Sequence, residues 1–242
     1  MLPVPDEVHV WSLPVHGDGP QPGAGLWQLL DAGERVRAAR FRFDRHRGQF
    51  IAAHGLKRLM LSWLGAGRAA SLRFRAGPQG KPALAAEPGG GPDLHFNLTH
   101  TDGLVACAVV LGRPVGLDAE PLDRPVELGV AERFFAPAEL AWLRSLPEAE
   151  RARGFLRLWT LKESWLKAVG VGLHLPLRDV AVRVAPPGVE LSAILPYRAA
   201  DWRLQELGFG SAHLGALAVP AAVGDRVLQQ GFLSVEDLMA VA

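Results

Sequence analysis

Apolar residues recur along this chain with two different periods, and the places where the period changes divide it into segments. VHVWSL, near the start, alternates as a strand with one buried face does, and GDGPQPGAG after it reads as a loop. The residues from 26 to 45 read as short helices. Between 47 and 64, RGQFIAAHGLKRLMLSWL sets Phe50, Ala53, Leu56, Met60 and Leu64 three or four apart, which predicts a long amphipathic helix. SLRFRAGPQGKPAL predicts a strand and a turn, and AAEPGGGPD a loop. LHFNLTH, GLVACAVVL and PVGLDAE then read as three successive strands, the last two joined at 112–114. A second helical region covers 130–143, where Pro137 ends one helix and starts another. A long helix over 153–169 stops at Gly170 and Gly172, whose backbones can turn back. Strands in DVAVRV, DWRLQEL and AHLGALAV and a short helix in SVEDLMAV complete the reading.

Each half thus offers one long helix and about three strands, without a repeat in the sequence itself. This outline predicts an α+β fold of two similar lobes with a crevice between them. The seam falls between 111 and 120, so that 1–115 form an N-terminal lobe and 116–242 a C-terminal one. With 242 residues, 49% of them hydrophobic, the chain can bury a proper core. Its 26 basic and 25 acidic residues leave a formal charge of +1, which excludes nucleic-acid binding through bulk positive charge. Cationic residues are concentrated only locally, in the arginines from Arg35 to Arg47 with Lys57 and Arg58, a solvated face or a site for an anion. The single cysteine, Cys107, lies in the apolar LVACAVVL and reads as a strand residue in a reducing compartment. The first residues show no signal-peptide pattern and no stretch reaches the length of a membrane span, so a cytoplasmic location is expected.

In GLDAE, Asp118 and Glu120 stand two apart at the end of a predicted strand, which points both carboxylates to one face. Such a pair suits a hard divalent cation, magnesium first, and an exposed edge strand gives the same pattern. The helix WTLKESWLKAVGVGL is more specific. Leu158, Leu161, Trp165 and Ala168 form its buried stripe, and Lys162, Glu163 and Lys167 interrupt the apolar sequence. Glu163 and Lys167 lie one turn apart, a surface salt bridge worth about 0.3–0.5 kcal/mol by default. The surrounding aromatic residues and the Gly-x-Gly turn beyond argue instead for a task, and the three polar residues read as a catalytic edge. His54 reads as an exposed or hydrogen-bonded side chain, since no second metal-binding residue accompanies it.

GLDAE, RFFAPAEL and WTLKESWLKAVGVGL, in this order, resemble the signature of the 4'-phosphopantetheinyl transferase superfamily, specifically its two-lobed Sfp type. GKPAL at 80–84 and FNLTHTDG at 96–103 are similar to two further motifs of that family, so the resemblance spans roughly 33–177. It implies a pseudo-two-fold pair of lobes with the active site in their crevice. It also implies a magnesium-dependent enzyme that moves the 4'-phosphopantetheine arm of coenzyme A to a serine of an apo acyl or peptidyl carrier protein, releasing 3',5'-ADP. Position by position, Asp118, Glu120 and Glu163 correspond to the magnesium ligands, and Glu163 also to the base that deprotonates the acceptor serine. Lys167 corresponds to the lysine on the transferred phosphate, His100 to the histidine on the coenzyme A phosphates and Lys81 to the lysine near the nucleotide. Glu139 matches an acidic residue whose role the resemblance leaves open. Thr99 stands where the family places a serine, and Glu34 and Gln49 where it often carries cations. Arg37, Arg40 and Arg47 remain the candidates for the 3'-phosphate.

Two other readings use the same residues: a magnesium-dependent phosphodiesterase acting on coenzyme A or a nucleotide, and a non-catalytic module that binds coenzyme A or a carrier protein. The intact ligand set and lysine rank transfer first. Arg133, Arg144, Arg151 and Arg153 offer a basic rim for an acidic carrier protein, and two lobes in one chain lead us to expect a monomer.

Overall fold

The computed structural model describes residues 7–15, 24–85, 90–185, 188–192 and 197–241. The loop expected at 17–25 lies largely outside these residues, as does the chain's start. In chain order the elements are β1 (Glu7–Val15), α1 (Ala24–Leu29), α2 (Ala32–Ala39), α3 (Asp44–Leu61), β2 (Phe74–Ala76), β3 (Pro82–Leu84), β4 (Leu94–Thr101) and β5 (Gly103–Leu111). They continue as β6 (Gly116–Pro121), α4 (Gly129–Phe134), α5 (Pro137–Ser145), α6 (Glu148–Val169), β7 (Ala181–Ala185), β8 (Gly188–Ser192), β9 (Trp202–Phe209), β10 (His213–Pro220), β11 (Arg226–Gly231) and α7 (Val235–Ala240). Two compact α+β units result: Met1–Arg113 with Val223–Ala242, and Pro114–Ala222.

In the first unit the sheet order is β11-β1-β5-β4, with β11 parallel to β1 and the other pairs antiparallel. Alternation along β1 and β5 sends Trp11, Leu13, Val105, Cys107 and Val109 into one core, where they meet Leu56 and Met60 of α3. Cys107 is fully buried, and burial pushes its thiol up to about 12, which leaves it a small core residue. The sequence outline places 116–242 together, whereas Val223–Ala242 group with the first unit. The physical reason is pairing: Glu7 to Ser12 of β1 align with Arg226 to Gly231 of β11, and Phe232 and Leu238 fill the same core.

The second unit carries an antiparallel sheet of order β6-β10-β9, with α6 packed across it. The expected stripe Leu158, Leu161, Trp165 and Ala168 is buried and meets Leu204, Ala216 and Ala218 of the sheet. A fully buried leucine of this kind contributes roughly 2 kcal/mol. α6 seats directly on β6: a Cβ at Gly116 would lie 1.9 Å from the Ser164 carbonyl oxygen and 2.4 Å from the Ala168 nitrogen. Only glycine permits that approach, and it fixes the following residues of β6 against the last turns of the helix. β5 and β6, expected as consecutive strands, belong to different sheets, because the chain passes from one unit to the other at Arg113 and Pro114.

The units share more than an outline. Strands β1-β5-β4 and β6-β10-β9 have the same antiparallel order, and each unit lays one long helix on its sheet. On α3 and its continuation, Phe50, Leu56, Lys57, Gly65 and Gly67 recur at one constant separation as Phe155, Leu161, Lys162, Gly170 and Gly172. Both helical segments turn at a left-handed glycine, Gly65 with φ 88° and Gly170 with φ 80°. The correspondence is too sparse to show as a repeat in the bare sequence. Among the described residues no helix is long and apolar enough to cross a membrane.

Candidate active site

The chemistry-bearing residues of the second unit converge where β6 meets α6. Asp118 is buried at 6% exposure, Glu120 is half-buried, and both lie on the strand that Gly116 presses against the helix. From α6, Lys167 donates to Asp118 Oδ1 at 2.6 Å and to the Leu117 carbonyl at 3.2 Å. Arg124, four residues beyond Glu120, donates to the Glu120 carboxylate. Burial raises the pKa of the Glu163 carboxyl, Asp118 and Glu120 raise it further, and Lys167 partly opposes them. Asp118, Glu120, Glu163 and Lys167 therefore act on one another electrostatically, as one cluster.

That cluster fits a hard divalent cation by its donor type and its excess of negative charge. Three oxygen donors repel one another across β6 and α6, and a cation would relieve the cost that lifts the Glu163 carboxyl. The side chains are not gathered into a ready-made cage: among the described residues no group of three His, Cys, Asp or Glu is placed to hold an ion. Lys167 and Arg124 occupy oxygens of Asp118 and Glu120 that a metal would claim.

Lys162, expected on the catalytic edge, is fully buried and faces elsewhere. Its ammonium pairs with the Glu139 carboxylate, which also accepts from the Val182 N–H at 2.7 Å and the Ala136 N–H at 2.7 Å. One carboxylate thus ties the start of α5, the middle of α6 and β7 together. Glu139 is itself 1% exposed, and burial lowers the Lys162 pKa against the pull of Glu139. The first unit repeats this brace at the same spacing of 23 residues, Lys57 to Glu34 at 2.9 Å. There Glu34 additionally receives Arg58 Nε at 2.7 Å and contacts His54 Nδ1 at 2.7 Å. Burial works against ionisation of Glu34, but His54 and Lys57 hold its carboxyl well below the ordinary range. Glu34 thus anchors α2 to α3. The position of Arg58 on α3 is the counterpart of Glu163 on α6.

Of the cofactor-binding candidates of the first unit, His100 is the one that lines a cavity of about 440 Å3. His100 lines it, together with Asn97 and Leu98 of β4, Phe41, and His46, Gln49, Phe50 and His54 of α3. Arg37 stacks its guanidinium over Phe50, 5.5 Å from the ring centre. Arg47 donates to the Phe41 carbonyl at 3.1 Å and to Asp44 at 2.6 Å. Arg40 is the exposed cap of α2. Lys81 is half-buried before β3, and burial pushes it down to about 8. Thr99 is buried at 3% on β4 and is not among the cavity's lining residues. The lining of His46, Phe50 and His54 went unnoticed in the sequence, although a spacing of fours put them on one helical face. His54 itself is hydrogen-bonded, as its isolation suggested. Of the expected basic rim, Arg144 pairs with Glu132 at 2.9 Å, Arg151 donates to the Leu146 carbonyl at 3.1 Å and Arg133 stacks on Phe134.

Clustered carboxylates with an adjacent lysine form an arrangement suited to phosphoryl chemistry. A family model described as the 4'-phosphopantetheinyl transferase superfamily matches residues 114–219, nearly the whole second unit. The protein named 4'-phosphopantetheinyl transferase HetI, from Nostoc sp. (strain PCC 7120), is 38% identical over 188 residues, covering 75% of this chain and 76% of that protein. The chain belongs to the 4'-phosphopantetheinyl transferase superfamily and is, with it, an enzyme. Its relatives include the Sfp type itself: 4'-phosphopantetheinyl transferase Sfp of Bacillus subtilis (strain 168) is 37% identical over 125 residues, 52% of this chain and 53% of that one. A second Bacillus subtilis protein, 4'-phosphopantetheinyl transferase ffp, is 34% identical over 174 residues, 71% and 73% of the two chains. The crystal structure of Thermotoga maritima holo-[acyl-carrier-protein] synthase matches at 22% identity and a TM-score of 0.38, over 44% of this chain and 62% of that one.

Proposed function

We propose that this enzyme transfers the 4'-phosphopantetheine arm of coenzyme A to a serine of an apo acyl or peptidyl carrier protein, releasing 3',5'-ADP. The observation that carries the assignment of residues is the cluster on β6 and α6, in which Lys167 is held on Asp118 and the Glu163 carboxyl is raised by burial first and then by Asp118 and Glu120. Asp118, Glu120 and Glu163 would hold a magnesium ion, which when bound supplies charge neutralisation for the pyrophosphate of coenzyme A.

The chain's own residues perform the rest. The serine hydroxyl oxygen forms a bond to the β-phosphorus of coenzyme A as the bond from that phosphorus to the 3',5'-ADP oxygen breaks. The hydroxyl proton goes to a Glu163 oxygen, on the helix α6 that also carries Lys167. Lys167 exchanges its contact with Asp118 for the transferred phosphoryl group, where negative charge grows. In the first unit, the aromatic cavity with His100, Lys81 and the arginines Arg37, Arg40 and Arg47 offers π-faces and cations to the nucleotide end of coenzyme A. Thr99 is buried on β4, next to His100 on the same strand. The enzyme works as a monomer in the cytoplasm, where its lone thiol stays reduced.

Glu163→Gln tests the assignment. Transfer to a carrier protein falls at least about a hundredfold while coenzyme A binding without added metal is retained. Turnover at the wild-type rate in that variant would remove Glu163 from the chemistry.

A further inference from the structure

Arg124 has no part in the reaction as derived, yet it touches the cluster directly. It follows the last residue of β6 in a turn closed by its own N–H to the Pro121 carbonyl at 3.2 Å, and its guanidinium reaches back to the Glu120 carboxylate. The same guanidinium lies 5.9 Å from the ring centre of Trp159, one helical turn before Glu163. Its side chain is 41% exposed and that of Glu120 only 14%, so the arginine is the more solvent-exposed partner of the pair. Lys167 plays a parallel part on Asp118.

A guanidinium on a carboxylate oxygen competes with a hard cation for the same negative charge and for that oxygen's lone pairs. Arg124 donates to one oxygen of Glu120, Oε1, so an ion that takes that oxygen displaces it and an ion on Oε2 binds against its positive charge. The half-buried Trp159 face gives the released guanidinium a place beside the cluster, where it is attracted to the ring.

We propose that Arg124 is an internal competitor for the divalent cation: it neutralises Glu120 while the ion is absent and yields the carboxylate when the ion arrives, so it sets the concentration at which the site fills. The inference rests on Asp118, Glu120 and Glu163 being the ligands. The opposite role, an arginine that orients Glu120 toward the ion, predicts the opposite sign on removal.

Manganese is the probe, titrated into the full chain without coenzyme A and followed by the electron paramagnetic resonance signal of free Mn2+. Arg124→Ala binds manganese about threefold to tenfold more tightly than the wild type, the size of a partly exposed ion pair removed from competition. Arg133→Ala, which deletes a nearby cation stacked on Phe134, leaves the affinity within about twofold. Unchanged or weaker binding in Arg124→Ala overturns the proposal, and so does equal tightening in Arg133→Ala, which would make the effect one of general charge. Asp118→Asn separates the two layers. If it binds manganese as tightly as the wild type, the ligand assignment fails and the competitor with it. If it binds more weakly while Arg124→Ala shows no tightening, only the competitor falls.

Discussion

Glu163 bears the cost of the arrangement. Its carboxyl is raised by burial first and then by Asp118 and Glu120, so ionising it in the folded state is harder than in the unfolded chain. The sign follows from linkage. The protonated form contributes stability that is fully present below the ordinary carboxylate value of about 4.3 and is lost as pH rises through the raised value. Glu163→Gln, which cannot ionise, is thus expected to match the wild type near pH 4. It gains on the wild type in melting temperature as pH rises, when both are measured with EDTA present. A difference that does not change with pH, or a less stable variant at neutral pH, contradicts this. Stability spent on function at one carboxylate is the common pattern at active sites. Glu163 and Lys167 were legible in the sequence because a spacing of four on a helix fixes a shared face. Lys162 was not, since its neighbour in sequence is Glu163 but its partner in space, Glu139, lies 23 residues away.

Between helices and strands, the buried brace of Glu139 and Lys162 holds the angle of α6. Glu139 serves two backbone N–H groups besides the ammonium, on α5 and β7, and Lys162 is one position before Glu163. Glu139→Ala leaves Lys162 buried without its counter-charge and costs about 3–5 kcal/mol in equilibrium urea unfolding. Replacing both by methionine recovers most of that loss, because two apolar side chains of similar volume need no partner. A loss below about 1 kcal/mol in Glu139→Ala would show that the pair carries no such burden. Periodicity made the long helices and most strands readable, and α6 begins five residues earlier than expected, at Glu148. β8 and β11 escaped. GVELS is short and half exposed, and RVLQQG is a polar edge strand whose partner β1 stands at the other end of the chain, Glu7 against Arg226. No local signal announces a pairing of that separation.

At the scale of the chain, two units share one outline, and the acidic cluster of Asp118, Glu120 and Glu163 lies in the second. The helix that carries Glu163 in the second unit has Arg58 at the matching place in the first, locked to Glu34, Asp31 and two backbone carbonyls. The outline of two similar halves sets a seam between 111 and 120 in the sequence, and the chain passes from one unit to the other at Arg113 and Pro114. The return of Val223–Ala242 to the first unit was not legible there, for it depends on which sheet edge remains to be paired. The family model matches 114–219, within the second unit, while Pro82 of GKPAL and Phe96, Asn97, Leu98 and His100 of FNLTHTDG line the cavity of the first.

Intact-mass spectrometry of apo carrier proteins incubated with this enzyme, coenzyme A and magnesium tests the account most directly. One phosphopantetheine arm is gained per acceptor serine, the gain disappears with EDTA, and a carrier protein whose serine is replaced by alanine gains nothing. Unmodified carrier proteins in every case, with coenzyme A hydrolysed or merely bound, would contradict transfer and return the carboxylate cluster to a phosphodiesterase or a binding module.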